Sequence, residues 1–433
     1  MDQEVKLEIS NFHVWASGII FVTAYIFIIF EIVDRVIVAL SGALLMILVG
    51  VISQGTAFSQ KIDYNTLVLL ISMMIIVMIT KRTGVFEYLA IKTVKLAKGE
   101  PVMILILLSL ITGCLSGLLD NVTTILLVLP LTFSVCKDLH INPIPMMISE
   151  VFASNIGGTA TLIGDPPNIM IGSAVGLNFM DFILNTTPII LIILPITTLI
   201  FAFIYRNKLH ASKEDKEKVL KMDEHGAIKD HKLLFKSLGV LILTIAGFLV
   251  HGVMGLESAT IALTGATVLL LISGIKPEKI LEEVEWKTIF FFGGLFIMVG
   301  GIEEAGIIGL IAKGVINITS GDPFLTMIAI LWVSAIASAF IDNIPFVATM
   351  IPLIKDLGVI TGMTLSPLWW ALSLGACLGG NGTIIGASAN VVASGMAEDM
   401  GHKITFKEYM KVSFPVMLLT IVISTVYLVV FYS

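Results

Sequence analysis

The sequence predicts an all-α polytopic membrane protein with two inverted-topology repeats, each containing five spans, a re-entrant hairpin and a broken helix. Three observations support this prediction. Of the 433 residues, 57% are hydrophobic and only 13% are charged, whereas a soluble domain has about 25% charged residues. Apolar runs of membrane-spanning length recur along the chain, and the mean hydropathy is +1.00. The second half of the sequence also repeats the first.

The repeat appears when the chain is shifted by 222 positions without a gap. The segment GGTATLIGDPPN (157–168) then aligns with GGNGTIIGASAN (379–390), and 6 of the 12 positions are identical. Internal repeats of this kind are usual in secondary transporters. The predicted units are a first repeat, a basic cytoplasmic linker and a second repeat, with bounds 14–205, 206–236 and 237–431.

Both repeats contain the same series of apolar segments. The first has three spans, an amphipathic stretch expected at the membrane interface, a pair of apolar arms, an interrupted segment and a last span. These lie at 14–33, 36–53, 64–80, 85–98, 101–136, 144–175 and 184–205. The apolar segments of the second repeat lie at 237–254, 256–274, 286–302, 322–357, 367–397 and 409–431.

The paired arms 101–136 and 322–357 could be two full crossings or one re-entrant hairpin. Lys and Arg are enriched in cytoplasmic loops, and the hairpin interpretation places 22 of the 26 basic residues on the cytoplasmic side. The four on the other side are Lys6, Lys61, Lys313 and Lys355. Full crossings would move the basic stretch 81–98 outside. The hairpin interpretation therefore predicts a multi-pass cell-membrane protein with oppositely oriented repeats and both termini outside the cytoplasm.

An Asp-Asn pair lies at the middle of each pair of arms. A charged side chain at the bilayer centre costs roughly 2.5–3.5 kcal/mol on insertion scales, so such a residue is expected to line an ion site. Alternatively, each aspartate only caps the helix that follows, and the two roles are compatible. Na⁺ is the metal ion expected here, at Asp120, Asn121, Asp342 and Asn343.

Glycines and the Pro166-Pro167 pair interrupt the segment that follows the first hairpin, and glycines interrupt its counterpart. A bilayer tolerates such backbone only where protein or water satisfies it, which predicts a broken helix with free carbonyls for a cation. The alternative is close packing through small residues. The candidate ion- or substrate-binding residues are Asp120, Asn121, Asn155, Gly157, Gly158, Thr159, Thr161, Asp165, Asn168, Asp342, Asn343, Gly379, Gly380, Asn381, Thr383 and Asn390.

Two carboxylates of the first repeat have no acidic counterpart in the second. Asp165 aligns with Ala387, and Glu150 aligns with Leu372. Asp165 is expected to bind a cation or proton, or else to cap the helix after the prolines. Glu150 is a candidate proton carrier, or else a glutamate near the membrane surface.

The two Asp-Asn hairpins followed by proline, together with GGTATLIGDPPNIMIG, resemble the ion transporter superfamily in its ArsB/NhaD branch of arsenite permeases and sodium/proton antiporters. The GDPPN form is similar to that of the melanosomal P-protein, and citrate transporter-like domains belong to the same superfamily. The resemblance covers nearly the whole chain. It implies a homodimeric carrier in which a hairpin-bearing domain moves as an elevator against a scaffold.

One departure from the superfamily bears on the substrate. Its dicarboxylate/sodium symporters carry Ser-Asn-Thr at both hairpin tips, where the motif binds sodium and substrate carboxylates. The matching positions here are Asp120-Asn121-Val122 and Asp342-Asn343-Ile344. A fixed carboxylate repels a dianion, so the arsenite permeases and the sodium/proton antiporters are the better match.

These features predict a secondary active transporter for a small inorganic ion coupled to H⁺ or Na⁺, by Na⁺/H⁺ antiport or by arsenite or anion efflux. A mid-membrane carboxylate holds H⁺ or Na⁺ but not both, which gives antiport directly. The alternatives are a Na⁺-coupled citrate- or dicarboxylate-like transporter and a passive anion channel. An enzyme is not expected, because the GLLD and AFID contexts differ from those of intramembrane aspartyl proteases. The expected partners are the bilayer, the small ion and a second copy of the chain, with no nucleic acid and no cofactor beyond the coupling ion.

Overall fold

The computed structural model describes residues 11–30 and 32–432, and these contain helices and connecting turns but no β-strand. The helices of the first half are α1 (Asn11–Ile29), α2 (Arg35–Leu48), α3 (Gln54–Thr56), α4 (Tyr64–Lys81), α5 (Val85–Leu96), α6 (Pro101–Ser116), α7 (Asn121–Asp138), α8 (Ile144–Thr159), α9 (Pro166–Val175), α10 (Phe179–Asn185) and α11 (Thr187–Tyr205). Those of the linker and second half are α12 (Lys213–Leu220), α13 (His231–Met254), α14 (Ser258–Ser273), α15 (Pro277–Leu281), α16 (Trp286–Glu304), α17 (Ile307–Thr319), α18 (Pro323–Phe340), α19 (Asn343–Thr361), α20 (Ser366–Gly379), α21 (Ser388–Asp399) and α22 (Phe406–Tyr432).

Several helices have the length and composition of membrane spans. Within the described residues, nine helices meet both requirements, or ten if the bent pair α9 and α10 counts as one span. The prediction of a multi-pass helical membrane protein is therefore confirmed. Three hairpin arms, α7, α18 and α19, are among the nine. Helix length alone does not separate a re-entrant hairpin from two crossings, and the hairpin stays a prediction.

Two predicted spans are shorter than expected. The predicted span 36–53 is the helix α2, whose 14 residues end at Leu48 and extend about 21 Å, short of the roughly 30 Å hydrocarbon core. It ends there because the chain turns at Gly50, which has a positive φ of 79°. The predicted span 256–274 is the 16-residue helix α14, which likewise ends at a glycine, Gly274, with φ 74°.

The helix bounds of the two halves follow the sequence repeat. The hairpin arms begin at Pro101 and Pro323 in α6 and α18, and their second helices begin at Asn121 and Asn343. Each pair is separated by the 222 positions of the repeat. The local causes are also shared, because proline occupies the first turn of α6 and α18 and an aspartate caps α7 and α19.

The contacts between the halves are reciprocal. Helix α2 packs on α16 and α4 packs on α14, while α7 packs on α21 and α19 packs on α9. Two ion pairs are reciprocal in the same way. Lys61 pairs with Glu304, and Arg82 pairs with Glu283. Glu283 lies 222 positions after Lys61, and Glu304 lies 222 positions after Arg82. Reciprocal contacts of this kind are expected of two units related by a two-fold axis. The inverted orientation of the halves in the membrane stays a prediction.

The helices fall into two groups by their contacts. The first group contains α1, α2, α4, α13, α14 and α16, and we call it the scaffold. The second group, the core unit, contains the two hairpins, the broken helices, α11 and α22. In it, α6 packs on α8 and α18 packs on α20. Every residue of α8 from Pro145 to Thr159 is buried, whereas only a few residues of α1 and α13 are buried. The candidate site therefore lies at the centre of the protein.

The linker packs against the turn after α5. Lys95 pairs with Glu224, and Lys216 pairs with Glu100 at 2.6 Å. Helix α13 begins at His231, inside the predicted linker 206–236, where Asp230 accepts a hydrogen bond from the Leu233 N–H. The division into two repeats and a linker stays a prediction. The chain ends, including Lys6, lie outside the described residues.

Candidate functional site

The two hairpin tips have equivalent local structures. Asp120 caps α7 and accepts a hydrogen bond from the Thr123 N–H at 2.8 Å. Asp342 caps α19 and accepts one from the Ile344 N–H at 3.0 Å. Both aspartates are half-buried. They therefore have the capping geometry, which leaves carboxylate capacity for a second partner.

Both predicted helix breaks are present. Helix α8 ends at Thr159 and α9 begins at Pro166, whereas α20 and α21 are separated by two short 3₁₀ turns, Gly380–Gly382 and Ile384–Gly386. Threonine hydroxyls hold both breaks against the hairpins. Thr161 Oγ1 donates to the Gly117 carbonyl at 2.6 Å, and Thr383 Oγ1 donates to the Ala339 carbonyl. The breaks are thus fixed to the hairpins.

An asparagine amide closes each break. Asn168 Nδ2 donates to the carbonyls of Thr159 and Thr161 at 3.1 and 2.9 Å. In the second repeat, Asn390 Nδ2 donates to the carbonyls of Gly380 and Thr383, both at 2.8 Å. The sequence predicted free carbonyls for a cation, whereas these four already accept a hydrogen bond. The physical reason is that a buried broken helix must satisfy its own backbone.

A cluster of buried amides connects the first hairpin tip to both broken helices. Asn121 Nδ2 donates to Asn155 Oδ1 at 3.0 Å. The two amide hydrogens of Asn155 donate to Asn381 Oδ1 at 2.9 Å and Asn390 Oδ1 at 2.8 Å. This arrangement leaves Asn381 Nδ2 as a buried donor without a protein acceptor. The candidates Asn121, Asn155, Asn381 and Asn390 are therefore brought together.

Asp165 lies in the first break and is completely buried. Both of its oxygens lie 3.3 Å from Asn343 Nδ2 at the second hairpin tip. Asp165 occupies the N-cap position of α9, but its side chain makes no capping hydrogen bond, so its carboxylate is not used as a helix cap. It forms no ion pair with any described basic residue. A buried, unpaired carboxylate is costly, so it requires a proton or a cation.

Two further side chains, Ser373 and Cys377, complete this region. Ser373 Oγ donates to Asn168 Oδ1 at 2.6 Å, and Cys377 Sγ lies 3.6 Å from the same oxygen. The repeat contained a signal for the second contact. Cys377 aligns with Asn155, and the Asn155–Asn390 contact is the reciprocal of the Cys377–Asn168 contact.

Arg35 was also missed as a site residue. Its Nη1 donates to Asp342 Oδ2 at 3.1 Å and to Ser388 Oγ at 2.8 Å, and Ser388 Oγ donates to the same carboxylate oxygen at 2.7 Å. The sequence indicated only a basic residue beside an apolar helix, a pattern that also marks topology-setting charges.

Two adjoining cavities connect the hairpin tips to one face of the protein. The first, of about 420 Å³, is lined by Asp34, Lys287 and Asp342. The second, of about 410 Å³, is lined by Asp120, Glu285 and Pro166. The two cavities have Arg35, Lys287 and Ser388 in common. Both tip aspartates are therefore accessible from the same side of the scaffold.

The rim of these cavities is itself charged. Lys287 Nζ lies 3.1 Å from Asp34 Oδ2. The Val36 N–H and the Lys287 ammonium both lower the pKa of Asp34 from its ordinary value. Lys287 is thus engaged by Asp34, which leaves Arg35 as the described basic side chain bound to a tip aspartate.

The four candidate glycines lie at close backbone contacts. A Cβ on Gly157 would lie 2.0 Å from the Gly113 carbonyl oxygen, and one on Gly379 would lie 2.5 Å from that of Ala335. A Cβ on Gly158 or Gly380 would lie 2.5 or 2.9 Å from the carbonyl oxygen across the same break. Close packing alone requires glycine here, and an ion-binding role for them stays a prediction.

We expect Gly157→Ala to destabilise the protein by about 1–3 kcal/mol, the usual cost of overpacking. The contact is between backbones of α6 and α8, so no flexible side chain can move aside. Thermal unfolding in detergent, followed by intrinsic fluorescence, measures the effect as a lower melting temperature. Gly314→Ala is the matched control, because a Cβ there has no neighbour within 4 Å. Equal melting temperatures for both variants would contradict the packing interpretation.

Glu150 lies far along α8 from the break. It is fully buried, and Thr132 Oγ1 lies 2.8 and 3.0 Å from its two oxygens. Glu150 is therefore enclosed by protein, and its depth in the membrane stays a prediction. Along α8, Thr159 lies about 14 Å from Glu150, and Asn155 of the amide cluster lies about 7.5 Å from it. The hydrogen-bond partner of Glu150 is Thr132 and not an amide of the cluster, and its role as a proton carrier stays a prediction.

Comparison with known proteins identifies the family. The sequence profile of the citrate transporter family matches residues 25–375. A protein named as an uncharacterized transporter in Mycobacterium tuberculosis is 43% identical over 415 residues, covering 94% of this chain and 96% of that protein. The human P protein is 34% identical over 489 residues, covering 94% of this chain and 58% of that protein. The solved structure of the Alcanivorax borkumensis YdaH transporter matches with a TM-score of 0.58 at 15% identity, covering 89% of this chain and 87% of that one.

Proposed function

Because the chain belongs to the citrate transporter family of secondary transporters, we propose that it exchanges a small inorganic cation, Na⁺ in the first instance, for protons across the cell membrane. The observation that carries the proposal is the environment of Asp165. This carboxylate is completely buried beside a neutral amide, and Asp120 at the adjacent tip has no described basic partner within ion-pair distance. Sites of this kind favour H⁺ or a metal cation.

The proposed cycle is a competition at the carboxylates. A proton and a cation each neutralise the same buried charge, so arrival of one releases the other. In an elevator cycle, the core unit would carry the neutralised site past the scaffold, and a homodimer would hold the two scaffolds together. The amide cluster around Asn155 would keep the two broken helices and the first tip moving as one body.

A second candidate is transport of a small anion. The observation that favours it is the placement of Arg35 and Lys287 in the cavities that lead to the site. Citrate and other organic anions would be attracted by these cations. Arsenite, largely uncharged at neutral pH, would not be repelled by the aspartates, and the buried thiol of Cys377 lies beside Asn168. In each case the carboxylates would serve a coupling cation.

Proteoliposomes with an internal pH dye test these candidates. We expect an inward Na⁺ or Li⁺ gradient to drive proton efflux, seen as a rise in internal pH. A citrate or arsenite gradient is expected to have no effect when Na⁺ is absent. Liposomes without protein are the control for leak. A dye response to citrate or arsenite alone would favour the anion candidates, and current without any counter-gradient would indicate a channel.

A further inference from the structure

The ion pair between Arg35 and Asp342 connects the scaffold to the core unit. Arg35 is the first residue of the scaffold helix α2, and Asp342 is the tip of the second hairpin in the core unit. The guanidinium carbon also lies 5.2 Å from the ring centroid of Phe291, a fully buried residue of the scaffold helix α16. Such cation–π contacts help to fix a guanidinium in position. The scaffold therefore holds the Arg35 guanidinium in place, whichever position the hairpin tips of the core unit occupy.

The contacts of Asp342 leave little capacity for another cation. Its Oδ1 caps α19, and its Oδ2 accepts hydrogen bonds from Arg35 and Ser388. Its side chain is only 12% exposed. In this conformation the guanidinium occupies the position beside the carboxylate that a transported cation would need.

The other half of the protein lacks this device. The position 222 residues after Arg35 is Glu257, an acid, and the position 222 residues before Ser388 is Pro166, which has no hydroxyl. Asp120, the counterpart of Asp342, is therefore left with the Thr123 N–H and no described ion-pair partner. The two halves therefore differ, because only the tip aspartate of the second hairpin has a basic partner among the described residues.

We propose that Arg35 is a tethered cation that replaces the transported cation at Asp342 when the second hairpin tip reaches this face, and so promotes release there. The inference rests on the proposed cation exchange. When the core unit moves away, Asp342 leaves the scaffold arginine behind and must take an ion from solution. Arg35 is thus a specificity-determining residue for the direction in which the site empties.

Hydrogen exchange of the second tip, in peptides covering 338–348, tests the proposal with the full chain in nanodiscs. In wild type, exchange should be equally slow in N-methylglucamine chloride and in NaCl, because Arg35 already occupies the site. In Arg35→Gln, exchange should be roughly tenfold faster in N-methylglucamine, since a partly exposed ion pair has been broken. Na⁺ or Li⁺ should restore slow exchange by binding the vacated carboxylate.

Two variants control the measurement. Arg35→Lys keeps the charge and should behave as wild type. Arg82→Gln removes an arginine that pairs with Glu283 and lines neither cavity, so it should leave the tip unchanged. Slow exchange in Arg35→Gln without added cations would overturn the proposal. Fast exchange that neither Na⁺ nor Li⁺ slows would overturn it as well.

The hydrogen-exchange measurement and the proton-flux measurement can fail independently of each other. The former reports cation binding at equilibrium and needs no transport. Absent Na⁺- and Li⁺-driven flux in wild type would overturn the proposed exchange activity, while the hydrogen-exchange data would still show whether Arg35 and a cation compete for Asp342. Normal flux together with a tip that does not respond to cations in Arg35→Gln would overturn only the role of Arg35.

Discussion

Proteoliposomes carrying Asp165→Asn are expected to show cation-driven proton flux no greater than that of liposomes without protein. Asparagine has nearly the same shape, and its carbonyl can still accept the hydrogen bond from Asn343 Nδ2. What disappears is the ionisable group, so neither a proton nor a metal cation has a charge to neutralise. The measurement is the rate of change of internal pH after addition of Na⁺ or Li⁺.

The same substitution should leave folding intact. A buried carboxylate without an ion pair pays a desolvation cost, so Asp165→Asn is expected to unfold at the same temperature as wild type or a higher one. Asp322→Asn is the matched control, because this aspartate has only a capping role, accepting a hydrogen bond from the Leu325 N–H at 2.7 Å on α18. It should retain wild-type flux. Unchanged coupled flux in Asp165→Asn would remove the observation that carries the proposed function.

The positions of the helix breaks and tips could be predicted from the sequence because their causes are local. Proline fixes the start of α6 and α18, and aspartate caps the helices after the tips. Glycine interrupts both broken helices, together with proline in the first repeat. Each of these effects acts within a few residues. The repeat supported these predictions further, because each helix break and each tip occurs at equivalent positions in both halves.

The side-chain partners could not be predicted because they depend on distant parts of the chain. Arg35 and Asp342 are 307 positions apart, and Asn155 contacts Asn390 across 235 positions. The repeat shows which positions of the two halves are equivalent, but it does not show which helices pack against each other. The hydrogen bonds to the carbonyls in the breaks were missed for a related reason. The glycines predict a backbone with free carbonyls, whereas the folded chain brings the asparagine amides close enough to donate to them.

Asp120→Asn and Asp342→Asn are each expected to abolish coupled transport in the same flux assay. Asn is as good a helix cap as Asp, so the hydrogen bonds from the Thr123 and Ile344 N–H groups are retained and only the charge is lost. Asp230→Asn, which changes an equivalent cap at the start of α13, is the control and should transport normally. Wild-type coupling in both tip variants would exclude these aspartates from the ion path.

The two tip variants should nevertheless differ in stability, because their partners differ. Asp342→Asn leaves the Arg35 guanidinium half-buried without its carboxylate, whereas Asp120→Asn removes a carboxylate that has no basic partner in the described chain. We therefore expect a lower melting temperature only for Asp342→Asn, and recovery when Arg35→Gln is added, since coupled residues show non-additive effects. Equal melting temperatures for the two single variants would mean that the pair contributes nothing to stability. The recovery matters more than the loss, because it would assign the destabilisation to the unpaired arginine rather than to a disturbed helix cap.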